Sequence, residues 1–150
     1  MLAKDIMTRE VITVSPHTLL EEVIKILAEK KISGLPVVNQ EKKVIGVVSE
    51  GDLLVKSKNL HFPTYLQFLA GVFYLESLKK FEEEIKKAIG IRVEDVMSKE
   101  VVSASPDTPV GDLATLMVER RINRIPIINN NGELIGIVTR ADIIKAKQKD

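Results

Sequence analysis

Two short segments hold the residue types that could do chemistry. They are Gly46-Val47-Val48-Ser49-Glu50-Gly51-Asp52 and Gly136-Ile137-Val138-Thr139-Arg140-Ala141-Asp142. In each, an aliphatic run that reads as a strand ends on a hydroxyl residue that opens a helix. A carboxylate follows three positions later. Helix-start amides and a hydroxyl can hold a phosphate, and a carboxylate beside them can accept the two hydroxyls of a ribose. The same spacing also suits a purely structural role. Ser49 and Thr139 would then cap helices, with Asp52 and Asp142 adding favourable charge in the first turn. The local pattern fits both readings, and its recurrence favours the functional one.

The recurrence is part of a long internal repeat. Asp5 to Leu54 aligns with Asp95 to Ile144 without a gap. Fifteen of the fifty aligned positions are identical, among them Asp5/Asp95, Met7/Met97, Ser15/Ser105, Pro16/Pro106, Thr18/Thr108, Pro36/Pro126, Asn39/Asn129, Gly46/Gly136 and Asp52/Asp142. An ungapped repeat of this length implies a fold built twice, each copy burying the other's apolar face. The cleft between the copies is the expected place for a ligand.

Each copy presents the same order of signals. In the first, Val11 to Val14 reads as a short strand closed by Ser15-Pro16. Thr18 is placed to cap a helix, with Glu21 at the capping-box spacing. Leu20, Val23, Ile24, Leu27 and Ala28 then form a helical stripe that should lapse near Lys31. Leu35 to Val38 is a second strand, whose Pro36 marks a strand start or an edge. A polar turn at Asn39 to Lys43 leads to a strand at Val44 to Val48 and a helix capped by Ser49. The second copy repeats this with a strand at Val101 to Ser103, a helix from Thr108 to about Arg121, strands at Ile125 to Ile128 and Leu134 to Val138, and a helix capped by Thr139. Its Asn131-Gly132 pair is a strong hairpin signal. Each unit is β-α-β-β-α, an α/β (α+β) plan too small to stand alone. The two are expected to pack through their sheets with pseudo-two-fold symmetry.

Residues 56–94 match neither copy. Tyr65 to Ala70 reads as a short helix and Phe73 to Ile89 as an amphipathic one, ended by Gly90. A lid, an oligomer surface and a plain spacer all fit this segment.

Composition removes several function classes. The chain has 150 residues, 45% of them hydrophobic, with a formal charge of +1. So small a net charge gives no long-range field to recruit nucleic acid or an acidic membrane. The core is aliphatic, since there are four Phe, two Tyr and no Trp, and it offers no stacking platform for single-stranded nucleic acid. The absence of cysteine excludes thiol catalysis, disulfides and thiolate metal sites. The apolar runs fall far below membrane-spanning length and the first residues carry no apolar signal segment, so a cytoplasmic location is expected.

The repeated pattern resembles the cystathionine-beta-synthase (CBS) domain, and the pair resembles a Bateman module with a helical insert. Asp5-Ile6-Met7-Thr8 and Asp95-Val96-Met97-Ser98, the two Ser-Pro pairs, Ile32 to Val38 with Ile122 to Ile128, and the two Gly-aliphatic-aliphatic-Ser/Thr-x-x-Asp segments carry the match. It covers about two thirds of the chain and divides it into 1–55, an insert at 56–94, and 95–150. What the resemblance implies is a stand-alone regulatory or energy-sensing module for AMP, ADP or ATP, with S-adenosylmethionine or another adenosine-containing ligand as the alternative.

Residue by residue, the resemblance places Asp52 and Asp142 on the ribose, with Ser49 and Thr139 near ribose or phosphate. Ile12-Thr13, Val102-Ser103, Leu35-Pro36 and Ile125-Pro126 would frame the adenine. Arg124 and Arg140 are the candidates for phosphate charge, because a guanidinium fork suits phosphate oxygens. The first copy has Gly34 and Glu50 at those two places, so the Asp142 site is expected to be the better anion site.

No phosphate loop of the Gly-x-x-x-x-Gly-Lys-Ser/Thr type appears, no nucleophile–base pair stands out, and His17 and His61 make no metal site. The chain is therefore expected not to be an enzyme, to need no metal or catalytic cofactor, and not to bind nucleic acid or a membrane. Expected partners are the small adenosyl ligand, a second copy in a homodimer formed through the helical stripes that start at Leu19 and Val110, and an effector protein that reads the bound state. The competing class is an interaction or architectural homodimer with vestigial pockets.

Overall fold

The computed structural model describes residues 1–56 and 91–149. The helices expected at 65–70 and 73–89, with the rest of the insert, lie outside the described residues. Ten elements follow in order: α1 (Ala3–Ile6), α2 (Leu20–Lys30), β1 (Gly34–Val38), β2 (Val44–Ser49), α3 (Glu50–Lys56), α4 (Val93–Val96), α5 (Val110–Arg120), β3 (Arg124–Ile128), β4 (Leu134–Thr139) and α6 (Arg140–Gln148). Strands β1 and β2 make one two-stranded sheet, and β3 and β4 another. The fold is mixed α and β, as the repeat predicts.

The long helices follow their apolar spacing. Leu20, Val23, Ile24, Leu27 and Ala28 are all buried on α2, and Val110, Leu113 and Met117 on α5. Each helix stops on a residue in the left-handed conformation, Lys31 and Arg121, both at φ 54°. Their starts differ from expectation. Leu19 and Pro109 occupy the N-cap positions without a side-chain cap. Thr18 Oγ1 instead accepts the Ser15 amide at 3.1 Å, as Thr108 Oγ1 does for Ser105. The Ser-Pro turn competes locally for that hydroxyl and takes it. The helix-start amides find backbone partners: Leu20 N donates to Ile91 O at 2.9 Å, and Val110 N to Met1 O at 3.0 Å.

The leading strands are a second correction. Val11 to Val14 and Val101 to Ser103 form no strand; Val14 makes one parallel bridge with Val37, and Ala104 one with Ile127. Each of these segments meets a neighbouring strand at a single residue, which is too little to make a ladder. The bridges explain the prolines in β1 and β3. Pro36 O accepts the Val14 amide at 3.2 Å and Pro126 O accepts that of Ala104 at 3.1 Å, so a residue without an N–H costs no pairing on this edge.

Both hairpins turn on an asparagine. Asn39 Oδ1 accepts the amides of Glu41 and Lys43 at 2.9 and 3.0 Å, and Asn129 Oδ1 those of Asn131 and Glu133, both at 2.9 Å. The turns need a left-handed residue, which is Gly132 (φ 80°) in one and Lys42 (φ 64°) in the other. The hairpin predicted from Asn131-Gly132 is present.

The chain divides into two compact units. One comprises Met1–Ile12, Val38–Ile45 and Glu100–Asp150, and the other Thr13–Val37 and Gly46–Lys99. Within the first, α1 is bound to the second repeat: Ala3 N donates to Thr108 O at 2.8 Å, and Thr8 pairs with Ile137 at 2.9 and 3.0 Å. Within the second, α4 is bound to the first repeat through Val93 N to Thr18 O and the Val47–Ser98 pair. The lead-in of each repeat thus belongs to the body built around the other. Asp5 and Asp95 hold these lead-ins in shape, their carboxylates accepting the amides of Leu2 and Arg92 at 2.8 and 2.9 Å. Lys4 adds an exposed ion pair to Asp107 at 2.9 Å. That hydrogen bond and charge raise the Lys4 ammonium above its ordinary value, and such surface pairs contribute little to stability.

The core of the first unit joins Ala3 and Met7 to Leu113, Met117, Ile125, Ile127, Val138 and Ile143. Gly136 is required here. A β-carbon at that position would overlap Met7 Sδ and sit 2.9 Å from its Cγ, so only glycine lets the lead-in close on β4. Gly46 does the same for Met97 in the other unit, where the Sδ would lie 2.6 Å away. Met7 is buried.

Candidate functional site

The site in the second repeat grows from the end of β4. Thr139 is the N-cap of α6, and Asp142 Oδ2 accepts both its amide at 2.8 Å and its hydroxyl at 2.9 Å. The Asp142 amide returns to Thr139 Oγ1 at 3.3 Å. The structural reading of Thr-x-x-Asp is therefore realised as a capping box. It uses only one carboxylate oxygen, and no hydrogen bond reaches Asp142 Oδ1 among the described residues. A half-buried carboxylate, held rigid through one oxygen with the other bare, is prepared to accept hydroxyl donors.

The sheet brings the other candidates of this repeat alongside. Arg124 sits opposite Thr139 in the antiparallel register, followed by Ile125 opposite Val138 and Pro126 opposite Ile137. The parallel bridge at Ala104 lays half-buried Val102 and Ser103 along Ile125 and Pro126. Ile12, in the same unit, is 37% exposed.

The first repeat has the same frame with a different outcome. Asp52 Oδ2 accepts the Ser49 amide at 3.0 Å and its hydroxyl at 3.1 Å. Asp52 Oδ1 is also engaged, because Ser98 Oγ donates to it at 2.9 Å. Thr13 runs beside Pro36 through the neighbouring Val14 bridge, and Leu35 and Pro36 are buried in β1. Ser98 is a neighbour of Asp52 that spacing does not point to. Its signal is the repeat itself, which aligns it with Thr8. Thr8 is exposed and makes no hydrogen bond to Asp142 among the described residues.

Two cavities of the first unit separate Asp142 from Arg140. Asp142 lines one of about 360 Å³ with Met1, Asp5, Ile6, Lys145, Ala146 and Lys149. Arg140 lines another, of about 390 Å³, with Arg121 and Asn123 against an apolar wall that includes Val118 and Ile144. Arg140 is exposed at the start of α6, its amide bonded to Asn123 O at 2.9 Å. The geometry thus groups Asp142 with Lys145 and Lys149, which the sequence did not single out.

The comparisons agree with this architecture. The CBS domain family model matches twice, at residues 3–59 and 93–149, and the chain belongs to that family. An uncharacterized protein of Methanocaldococcus jannaschii, MJ1426, is 37% identical over 153 residues, spanning 97% of this chain and 90% of its own. The chain spans 57% or less of three other curated relatives that it matches. Among solved structures, CBSX2 of Arabidopsis thaliana in complex with AMP is 30% identical with a TM-score of 0.74, covering 99% of this chain and 97% of that one. The CBS domain pair of protein MJ0100, in complex with 5'-methylthioadenosine and S-adenosyl-L-methionine, is 25% identical with a TM-score of 0.70, covering 99% and 97%. Among the described residues no helix is long and apolar enough to cross a membrane.

Proposed function

We propose that the chain is a regulatory module that binds an adenosyl ligand, AMP or a related adenine nucleotide, without catalysing a reaction. The observation that carries this is the Asp142 carboxylate. It is fixed at Oδ2 by Thr139, bare at Oδ1 among the described residues, and set on the wall of a cavity. Ribose hydroxyls are the donors such an acceptor suits. Arg124 beside Thr139, and Val102, Ser103, Ile125 and Pro126 along the strand edge, are the candidates for the adenine side of the nucleotide. Thr13, Leu35, Pro36, Ser49 and Asp52 form the corresponding place in the other unit, with Ile12 just before Thr13. The ligands of CBSX2 and of MJ0100 support the adenosyl class. MJ0100 keeps S-adenosylmethionine as the alternative within it. The domain plan we adopt is 1–55, 56–94 and 95–150.

Calorimetric titration of refolded, ligand-stripped protein with AMP, ATP and S-adenosylmethionine tests the reading. Saturable binding of at least one is expected, and silence for all three would overturn it. Silence would favour an interaction protein, for which the exposed Val118 and Ile144 (79% and 54% accessible) are the motivating feature. The stripes expected to form a homodimer are buried within their own units, so the candidate dimer surface is this exposed apolar face instead, and a clean monomer by light scattering would refute it.

A further inference from the structure

We infer that Lys145 and Lys149 form the phosphate subsite of the Asp142 site. This rests on the adenosyl-ligand reading and extends it to residues that the Ser/Thr-x-x-Asp pattern does not include. Asp142, Lys145 and Lys149 stand on α6 and its C-terminal end at three- and four-residue steps, hence on one face. All three line the same cavity of about 360 Å³. A ribose held at Asp142 Oδ1 would place its 5' substituent beside a cavity whose wall includes the two lysine ammonium groups. The two carboxylates of the wall are Asp142 itself and Asp5, and Asp5 Oδ2 is already bonded to the Leu2 amide at 2.8 Å.

A phosphomonoester carries close to two negative charges at neutral pH, and the lysine pair matches them. Arg140 lines the other cavity, with Arg121. The first repeat does not carry this lysine pair at the same positions. Ninety residues earlier, the positions of Lys145 and Lys149 hold Val55 and Asn59.

The test is titration of the full chain and of K145A/K149A with AMP and with adenosine, at two salt concentrations. Alanine is a strong helix former, so α6 should persist, and unchanged circular dichroism would verify that. We expect AMP affinity to fall about tenfold or more, adenosine affinity to stay within about twofold, and the salt dependence of AMP binding to flatten, as loss of charge-assisted contacts requires. K147A, on α6 but not on the cavity wall, should leave AMP binding unchanged. Equal losses for AMP and adenosine, or none for either, would overturn the subsite while leaving the adenosyl reading intact. Failure of the wild-type chain to bind either compound would overturn both.

Discussion

Replacing Asp142 by asparagine separates the two jobs that its carboxylate is positioned to do. Both Thr139 donors, the amide at 2.8 Å and the hydroxyl at 2.9 Å, point at Oδ2. The asparagine oxygen will take that place and its NH2 group will replace Oδ1. The cap then survives as a neutral hydrogen bond, roughly half as strong as the charged one. The cost is at most about 1 kcal/mol, a fall in Tm of about 2–4 °C for a chain of this size. At the Oδ1 position the change is harsher. Hydroxyls that donated to a carboxylate oxygen now meet a donor. A hydrogen bond to a charged group contributes about 1.5–3 kcal/mol, so AMP affinity should drop by about 10- to 150-fold. Asp142→Ala should lose the same affinity and a further ~1 kcal/mol of stability with the cap. Calorimetry with AMP beside a thermal melt reads both quantities. An Asp142→Asn protein that melts near wild type and binds AMP within about twofold would show that the carboxylate is only a helix cap.

Two further perturbations test the difference between the repeats. Ser98→Ala frees Asp52 Oδ1 from its 2.9 Å bond; made in the Asp142→Asn background, it should restore AMP binding by about tenfold at the first repeat, and unchanged or weaker binding by calorimetry would show that Ser98 does not close that site. Lys42→Gly removes a left-handed non-glycine residue (φ 64°) from the turn that Gly132 makes in the other repeat; the relief of about 1–2 kcal/mol, less glycine's entropic cost of about 0.5–1 kcal/mol, should raise Tm by about 1–4 °C, and a lower Tm would contradict it.

What the sequence made legible was what local chemistry determines. Asn131-Gly132 specifies its turn, the stripe from Leu20 to Ala28 specifies α2, and the Thr139-x-x-Asp142 spacing specifies a cap wherever a strand runs into a helix. Contacts distant in sequence were illegible. Thr18 looked like a helix cap because its competitor, the Ser15 amide, matters only once the Ser-Pro turn has closed. The helix start it was expected to serve is satisfied from Ile91. Val11 to Val14 has strand composition, yet a strand needs a neighbour along its length and here finds one only at Val37. Ser98 reaches Asp52 across 46 residues, a distance over which no periodicity carries information.

The identities of the repeat then need a different weight from the one they first invite. Asp5/Asp95 hold the lead-ins, Asn39/Asn129 close the hairpins, and Gly46/Gly136 admit Met97 and Met7. Each identity has a scaffolding cause, and so does Asp52/Asp142, because both cap a helix. Repetition of that carboxylate is therefore no argument for ribose binding. The argument lies where the repeats differ around it. One carboxylate has its second oxygen occupied by Ser98; the other has that oxygen bare among the described residues and shares a cavity with Lys145 and Lys149. At Gly34/Arg124, Val55/Lys145 and Asn59/Lys149 the second repeat has a cation where the first has none. Over their fifty aligned positions the two copies carry the same net charge, so what separates them is placement, with Lys145 and Lys149 on the cavity that Asp142 lines, and that placement is what the proposed anionic ligand at Asp142 would use.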